Sequence, residues 1–184
     1  MIDSESTSFY CAPSRDAVGM DDASVWEPFM REALRLARVA QARGDVPVGA
    51  LVVDAGGEIL GRGENRTIFD HDPCAHAEIL ALRQAGRLLG NHRLTDAVLV
   101  VTLEPCIMCL GAIIQARLTG VVFAAPDPKA GCLVTRMEGN VLSWSNHHFW
   151  VLGGVLQEEC SIMLRAFFQQ RRQEKKISKH LAER

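Results

Sequence analysis

Apolar residues recur along this chain with two alternating periods, and the switches between them outline a fold. From Trp26 through Met30, Ala33, Leu34, Ala37 and Ala40 the spacing is that of one helix face, with Asp22 or Ser24 placed to cap the start and Gly44 near the end. Val48 to Val53 and Glu58 to Gly63 are short apolar or alternating runs on either side of Asp54-Ala55-Gly56-Gly57, turn chemistry that predicts an antiparallel hairpin. After the Asp70-His71-Asp72-Pro73 turn, a helix is predicted from His76 to about Leu89, then a buried strand over Ala97 to Thr102. Pro105, which has no N–H to donate, suits the start of a helix over Cys106 to Ala116, and Val121 to Ala124 reads as another strand. Val151 adds a short strand before a final helix from about Leu156 to Lys175. Strands alternating with helices require crossover connections, so the predicted class is α/β, a partly parallel sheet with helices on its faces.

With 184 residues, 48% of them hydrophobic and 23% charged, the chain is long enough for one well-buried core and short for two typical domains. Residues 1 to 24 are rich in Ser, Asp and Ala without an apolar period and are expected to form a disordered leader, within which Met20 is a second candidate start. A folded domain is expected over residues 25–176 and a basic tail over 177–184. The formal net charge of −2 conceals an asymmetry. Asp3, Glu5, Asp16, Asp21 and Asp22 face only Arg15 at one end, whereas Arg165, Arg171, Arg172, Lys175, Lys176, Lys179 and Arg184 outweigh Glu174 and Glu183 at the other. The basic end reads either as a solvated helix face or as a site for an anionic partner. Cys11, Cys74, Cys132 and Cys160 have no disulfide-framework spacing, which suits a reducing compartment. No apolar stretch approaches a membrane span and the N-terminus is acidic where a signal peptide is basic, so a cytoplasmic location is expected.

The chemistry concentrates in His76-Ala77-Glu78 and, thirty residues on, Pro105-Cys106-Ile107-Met108-Cys109. Imidazole and two thiolates suit Zn²⁺, and three protein ligands leave the fourth tetrahedral position for water, as in catalytic sites. His76 and Cys106 fall at predicted helix N-termini, where the partial positive charge favours thiolate, and Cys106 and Cys109 share one helical face. Glu78, close to the metal without binding it, is the expected general base and then general acid for a zinc-activated water attacking an amidine-type carbon. Cys74, His71 or His92 as a fourth ligand would instead close a structural site. A redox Cys pair would leave His76 and Glu78 unexplained.

Beyond these motifs the chain resembles the bacterial tRNA-specific adenosine deaminases over about residues 26–176. The resemblance rests on Val46-Pro47-Val48-Gly49-Ala50, Glu64-Asn65-Arg66, His71-Asp72-Pro73, Ala75-His76-Ala77-Glu78-Ile79 and Val101-Thr102-Leu103-Glu104-Pro105-Cys106. Phe167-Phe168 with Arg171-Arg172-Gln173-Glu174 completes it. It implies a three-layer αβα cytidine deaminase-like fold with a mixed sheet of about five strands, one zinc per subunit and a homodimer. It also implies conversion of adenosine to inosine at the wobble position of a tRNA anticodon, the base being flipped from an already loosened loop. Asn65 matches the family's contact to that base, Asp127 and Lys129 match a nucleotide-contacting loop, and His147 matches a His in a later loop. Phe168, Arg171 and Arg172 match the substrate end of the last helix. Glu104 is read as a local cap or supporting group.

The chain departs from the family pattern at Ala125-Pro126-Asp127-Pro128-Lys129, where two prolines stiffen the loop and a basic residue is missing before Asp127. Cys132-Leu133-Val134-Thr135-Arg136 is bulkier than the usual small-residue run. Two alternatives stand beside the tRNA reading at this level. One is a free-base or nucleoside deaminase acting on guanine or cytosine. The other is a non-catalytic, zinc-stabilised RNA-binding subunit.

Overall fold

A computed structural model describes residues 22–182. Helix α1 spans Ala23–Ala42 and is followed by the hairpin β1 (Gly49–Asp54) and β2 (Ile59–Glu64). Next come α2 (Ala77–Leu89), β3 (Ala97–Leu103), α3 (Ile107–Ala116), β4 (Gly120–Ala125), a short 3₁₀ turn at Gly139–Val141, β5 (Trp150–Gly153) and α4 (Gln157–Ala182). The five strands form one sheet in the order β2-β1-β3-β4-β5, with β1 antiparallel to both neighbours and β3, β4 and β5 mutually parallel. The expected mixed α/β architecture is therefore present.

Alternation along the strands divides the core between the two faces of the sheet. Val52, Leu99, Val101, Val121 and Phe123 point to the side covered by α2 and α3, where Ala81, Leu110 and Ile113 meet them. Leu51, Val98, Val100, Val122 and Ala124 point to the other side, against Met30 and Leu34 of α1 and Cys160 and Leu164 of α4. These strands are buried on both faces, which is why β3 and β4 read as continuous apolar runs rather than alternating ones.

Glycines in the hairpin set how closely α2 approaches. A Cβ on Gly63 would lie 2.1 Å from the Ala77 carbonyl oxygen and one on Gly61 2.2 Å from that of Ala81, so the helix backbone rests directly on β2. This fixes the height of the first turn of α2, which carries the site.

Of the two expected caps for α1, Asp22 is used, its carboxylate accepting from the Ser24 N–H at 2.9 Å. Residues 1–21 of the expected leader lie outside the described residues, and Ala23 and Ser24 already belong to α1. The last helix extends seven residues beyond the expected end at Lys175. No Gly or Pro interrupts it, so residues 177–182 continue α4 instead of forming a separate tail.

Candidate active site

Sheet register defines a site end. Gly49 opposite Glu64, Ala50 opposite Val101 and Leu103 opposite Ala125 lie at one edge, whereas Ala97, Gly120 and Trp150 lie at the other. The loops entering α2 and α3 leave the sheet at the first edge. His76 and Cys106 are the N-cap residues of those two helices, both in extended backbone conformation. Neither side chain caps its own helix, which leaves the imidazole and the thiol free for other partners.

The three expected ligands converge. His76 Nδ1 is 3.7 Å from Cys106 Sγ and 3.5 Å from Cys109 Sγ, and the sulfurs are 3.8 Å apart. A tetrahedral zinc bonded to sulfur at about 2.3 Å and nitrogen at about 2.0–2.1 Å separates its ligands by about 3.8 Å for S···S and about 3.6 Å for S···N. The donors therefore already stand at the edges of such a tetrahedron, and the residues fit the metal. Among the described residues, His71, Cys74 and His92 do not join the cluster, so the closed four-ligand arrangement is not formed. The electrostatics agree with a cation site. Hydrogen bonds from Cys109 and His76 hold Cys106 down to about 3 against its burial, and the hydrogen bond to that sulfur drives Cys109 upward. Two thiols crowding one imidazole cannot both ionise unless a cation is bound between them.

Glu78, in the first turn of α2, is 4% exposed, and its Oε2 is buried without a hydrogen-bond partner. Burial raises its pKa, against its own backbone N–H and the nearby His76, which favour the carboxylate. Asn65, at the exit of β2, is also buried, and its Oδ1 accepts from the Ala77 N–H at 2.9 Å. It thus satisfies a helix donor that His76 leaves open and ties β2 to the ligand-bearing turn.

Glu104 follows the last residue of β3 and organises the loop after β4. Its Oε1 accepts from the N–H groups of Leu133, Val134 and Thr135 at 3.0, 2.8 and 2.9 Å, and its Oε2 accepts from the Asp127 N–H at 3.0 Å and from the Thr135 hydroxyl. Burial raises its pKa, but these bonds outweigh it and hold the carboxyl below its usual value. The Cys132 N–H donates to the Pro105 carbonyl at 2.9 Å, binding the same loop beside Cys106. Asp127 and Lys129 therefore reach the site end, where Oδ1 of Asp127 accepts from the Lys129 N–H at 2.9 Å in a local turn.

His147, Phe168 and Arg171 have local partners of their own. His147 is at the opposite edge of the sheet, three residues before Trp150, with its Nε2 2.7 Å from the Leu118 carbonyl. The parallel pairing of β5 with β4 is the reason, since residues entering β5 must arrive at the edge where β4 begins. It lines a cavity of about 560 Å³ with Arg93, Thr95, Asp96, Arg117 and His148, away from the metal ligands. Phe168 on α4 is half-exposed and packs edge-on against Phe167, while Arg171 lies over Phe167 and pairs with Glu174. Arg172 is exposed on the same helix. Sequence reasoning missed Asp45, a fully buried carboxylate that accepts from Thr67 Oγ1 and from the N–H groups of Ile68 and Phe69. A lone acid between Gly44 and an apolar strand was its only signal.

Two helix N-termini hold a tetrahedral donor set with one side open, and an unsaturated carboxylate stands beside it. That arrangement suits a zinc-dependent hydrolase in which the carboxylate moves the protons of a metal-activated water. Residues 24–125 match the family described as the cytidine and deoxycytidylate deaminase zinc-binding region. The tRNA-specific adenosine deaminase of Haemophilus influenzae is 48% identical over 166 residues, covering 88% of this chain and 96% of that protein. The Bacillus subtilis protein of the same description is 45% identical, covering 85% and 98%. A solved structure from work on A-to-I editing by tRNA:A34 deaminases at the wobble position superposes with a TM-score of 0.72 at 39% identity, over 74% of this chain and 99% of that one. The chain belongs to the tRNA-specific adenosine deaminase branch of the cytidine and deoxycytidylate deaminase family.

Proposed function

We propose that this protein hydrolyses the exocyclic amino group of adenosine at the wobble position of a tRNA anticodon, giving inosine and ammonia. The observation that carries the reading is the 48% identity to a tRNA-specific adenosine deaminase along nearly its whole length, in a chain whose His76, Cys106 and Cys109 converge as metal donors. Zinc, when bound by His76, Cys106 and Cys109, supplies a Lewis acid that brings water ionisation near neutral pH. Glu78 takes a proton from water through its unpartnered Oε2 and delivers it to ring N1 of adenine as the hydroxyl adds to C6. It then takes the proton of that hydroxyl and passes it to the amino group, so that the C6–N bond breaks, ammonia leaves and C6 keeps a carbonyl oxygen. One carboxylate thereby serves as base and acid, and its burial keeps bulk water from competing for the proton.

Asn65, beside His76 in the fold, is the candidate contact to the flipped base, and Asp127 and Lys129 are candidates for flanking nucleotides. Phe168, Arg171 and Arg172 offer a ring and cations for the anticodon arm, a contribution that salt would weaken. His147 has no role at the target base within one chain. The resemblance supports a homodimer, which mass measurement in solution tests. No helix among the described residues is long and apolar enough to cross a membrane, and a tRNA substrate fits a cytoplasmic enzyme.

The test is inosine formation on an anticodon stem-loop carrying a wobble adenosine, run beside free adenosine, cytidine and guanine, with Glu78→Ala as control. Inosine in the RNA alone is expected. Turnover of a free base or nucleoside without an RNA product would move the protein to another deaminase class, and zinc binding without any turnover would leave a non-catalytic subunit.

A further inference from the structure

Phe69 is 53% exposed although it sits in a tightly built turn. Its ring has the Arg43 guanidinium 5.1 Å from the centroid and the Arg66 guanidinium at 5.4 Å. Both cations are held in place, Arg43 by Glu64 at 2.7 Å and Arg66 by Asp70 at 2.8 Å. The backbone beneath is fixed by the buried Asp45, which accepts from the Phe69 N–H at 3.1 Å, and by the Asp70 N–H donating to the Arg66 carbonyl at 2.8 Å. A large apolar ring is thus presented to solvent by a turn that has no freedom to bury it.

The location gives the ring a use. Arg43 ends α1 and Glu64 ends β2, both at the edge of the sheet where the metal ligands lie. The Arg66 N–H donates to the Ala75 carbonyl at 3.0 Å, so the loop closes on itself one residue before His76. Asn65, next in sequence to Arg66, bonds the first turn of α2. The ring and its two cations therefore stand beside the mouth of the site, on the flank opposite the Asp127 loop in chain order. The two guanidinium groups lie over the ring, yet it remains 53% exposed, and that open ring surface beside two cations is what single-stranded nucleic acid needs, a place for a base to stack and positive charge near its backbone.

We infer that the open surface of the Phe69 ring is a stacking platform for an unpaired base adjacent to the target adenosine, with Arg43 and Arg66 supplying positive charge beside that nucleotide. This rests on the proposed RNA substrate and adds a substrate-binding residue to it. The platform reads a base face, so it tolerates any base at that position but not the absence of one.

The experiment compares wild type, Phe69→Ala, Phe69→Leu and Phe69→Tyr on the wobble-adenosine stem-loop and on versions carrying an abasic site at each nucleotide flanking the adenosine. Phe69→Ala and Phe69→Leu should raise KM about fivefold or more with kcat nearly unchanged, and Phe69→Tyr should restore it. One abasic position should penalise wild type by a similar factor and abolish its difference from Phe69→Ala. An unchanged KM in Phe69→Ala overturns the platform, as does a defect equal on every abasic substrate or one that Phe69→Leu rescues. A changed solution mass in Phe69→Ala without a KM effect assigns the ring to a second copy of the chain and also overturns it. If wild type forms no inosine in the stem-loop, the functional reading fails and takes the platform with it. Wild-type turnover with an indifferent Phe69→Ala sinks the platform alone.

Discussion

Replacing Glu104 by Gln keeps the shape of the side chain and removes its charge, and the structure fixes what that should cost. With the amide oxygen in the Oε1 position, the N–H groups of Leu133, Val134 and Thr135 keep an acceptor, but a neutral one. Each such bond falls from about 1.5–3 to about 0.5–1.5 kcal/mol. The amide nitrogen then faces the Asp127 N–H, a donor against a donor, which costs about 1–3 kcal/mol more. These losses share one side chain and are not additive, so about 3–5 kcal/mol is expected in total. For a chain of this size that is a fall of roughly 10 °C or more in Tm by calorimetry, with faster amide exchange at residues 133–135.

The sign of the pH dependence is fixed as well. The folded pKa of Glu104 is depressed, so its contribution is complete above the unfolded value of about 4.3 and is lost as pH falls through the folded value. The gap between wild type and Glu104→Gln should therefore be constant near neutrality and narrow in acid below about pH 4. Because the same loop carries Asp127 and Lys129, the variant should also raise KM for the stem-loop more than it lowers kcat. Melting within a degree or two of wild type, with unchanged amide exchange at 133–135, would refute the assignment.

Glu78→Ala should retain zinc by elemental analysis and lose turnover by about 10²–10⁴-fold, the usual worth of positioned proton transfer. His76→Ala, Cys106→Ser and Cys109→Ser should each lower the zinc content below one per chain. Chelation should abolish activity while circular dichroism still reports the fold, since the metal ligands are not members of either apolar cluster that holds the sheet. Gly63→Ala places a Cβ 2.1 Å from the Ala77 carbonyl oxygen and must lift α2 from β2. A loss of about 1–3 kcal/mol or more is expected, with a reduced zinc content, whereas Gly111→Ala, with open space at its Cβ, should do neither.

The metal ligands were legible because their geometry is local. A His at one helix N-terminus, and two Cys three residues apart at another, need only the helix starts to be right for their side chains to point outward. Strands and helices were legible for the same reason, through period and turn chemistry. The place of His147 was not legible because it depends on the direction in which β5 pairs, and residues 126–149 carry little periodicity from which to infer it. Glu104 could be suspected from a charge ending an apolar strand, but its donors come from residues 23 to 31 positions later in the chain. Asp45 and Phe69 needed the loop itself, since the pairing of a buried acid with three donors more than twenty residues away leaves no local trace.

Three buried carboxylates support the site end of the sheet, and the difference between them argues for their roles. Asp45 accepts from two backbone N–H groups and a hydroxyl, with bonds to both its oxygens, and Glu104 is saturated by four backbone N–H groups and a hydroxyl. With all its lone pairs engaged, Glu104 has little proton affinity to lend and is held below its usual pKa. Such groups lock loops, here the one before α2 and the one after β4. Glu78 is as buried but keeps one oxygen without a donor, a deficit that a folded core does not tolerate without a use for it. The fold thus uses two carboxylates to fix the loops at the site end and leaves the third open beside the metal ligands, where a proton has to be carried.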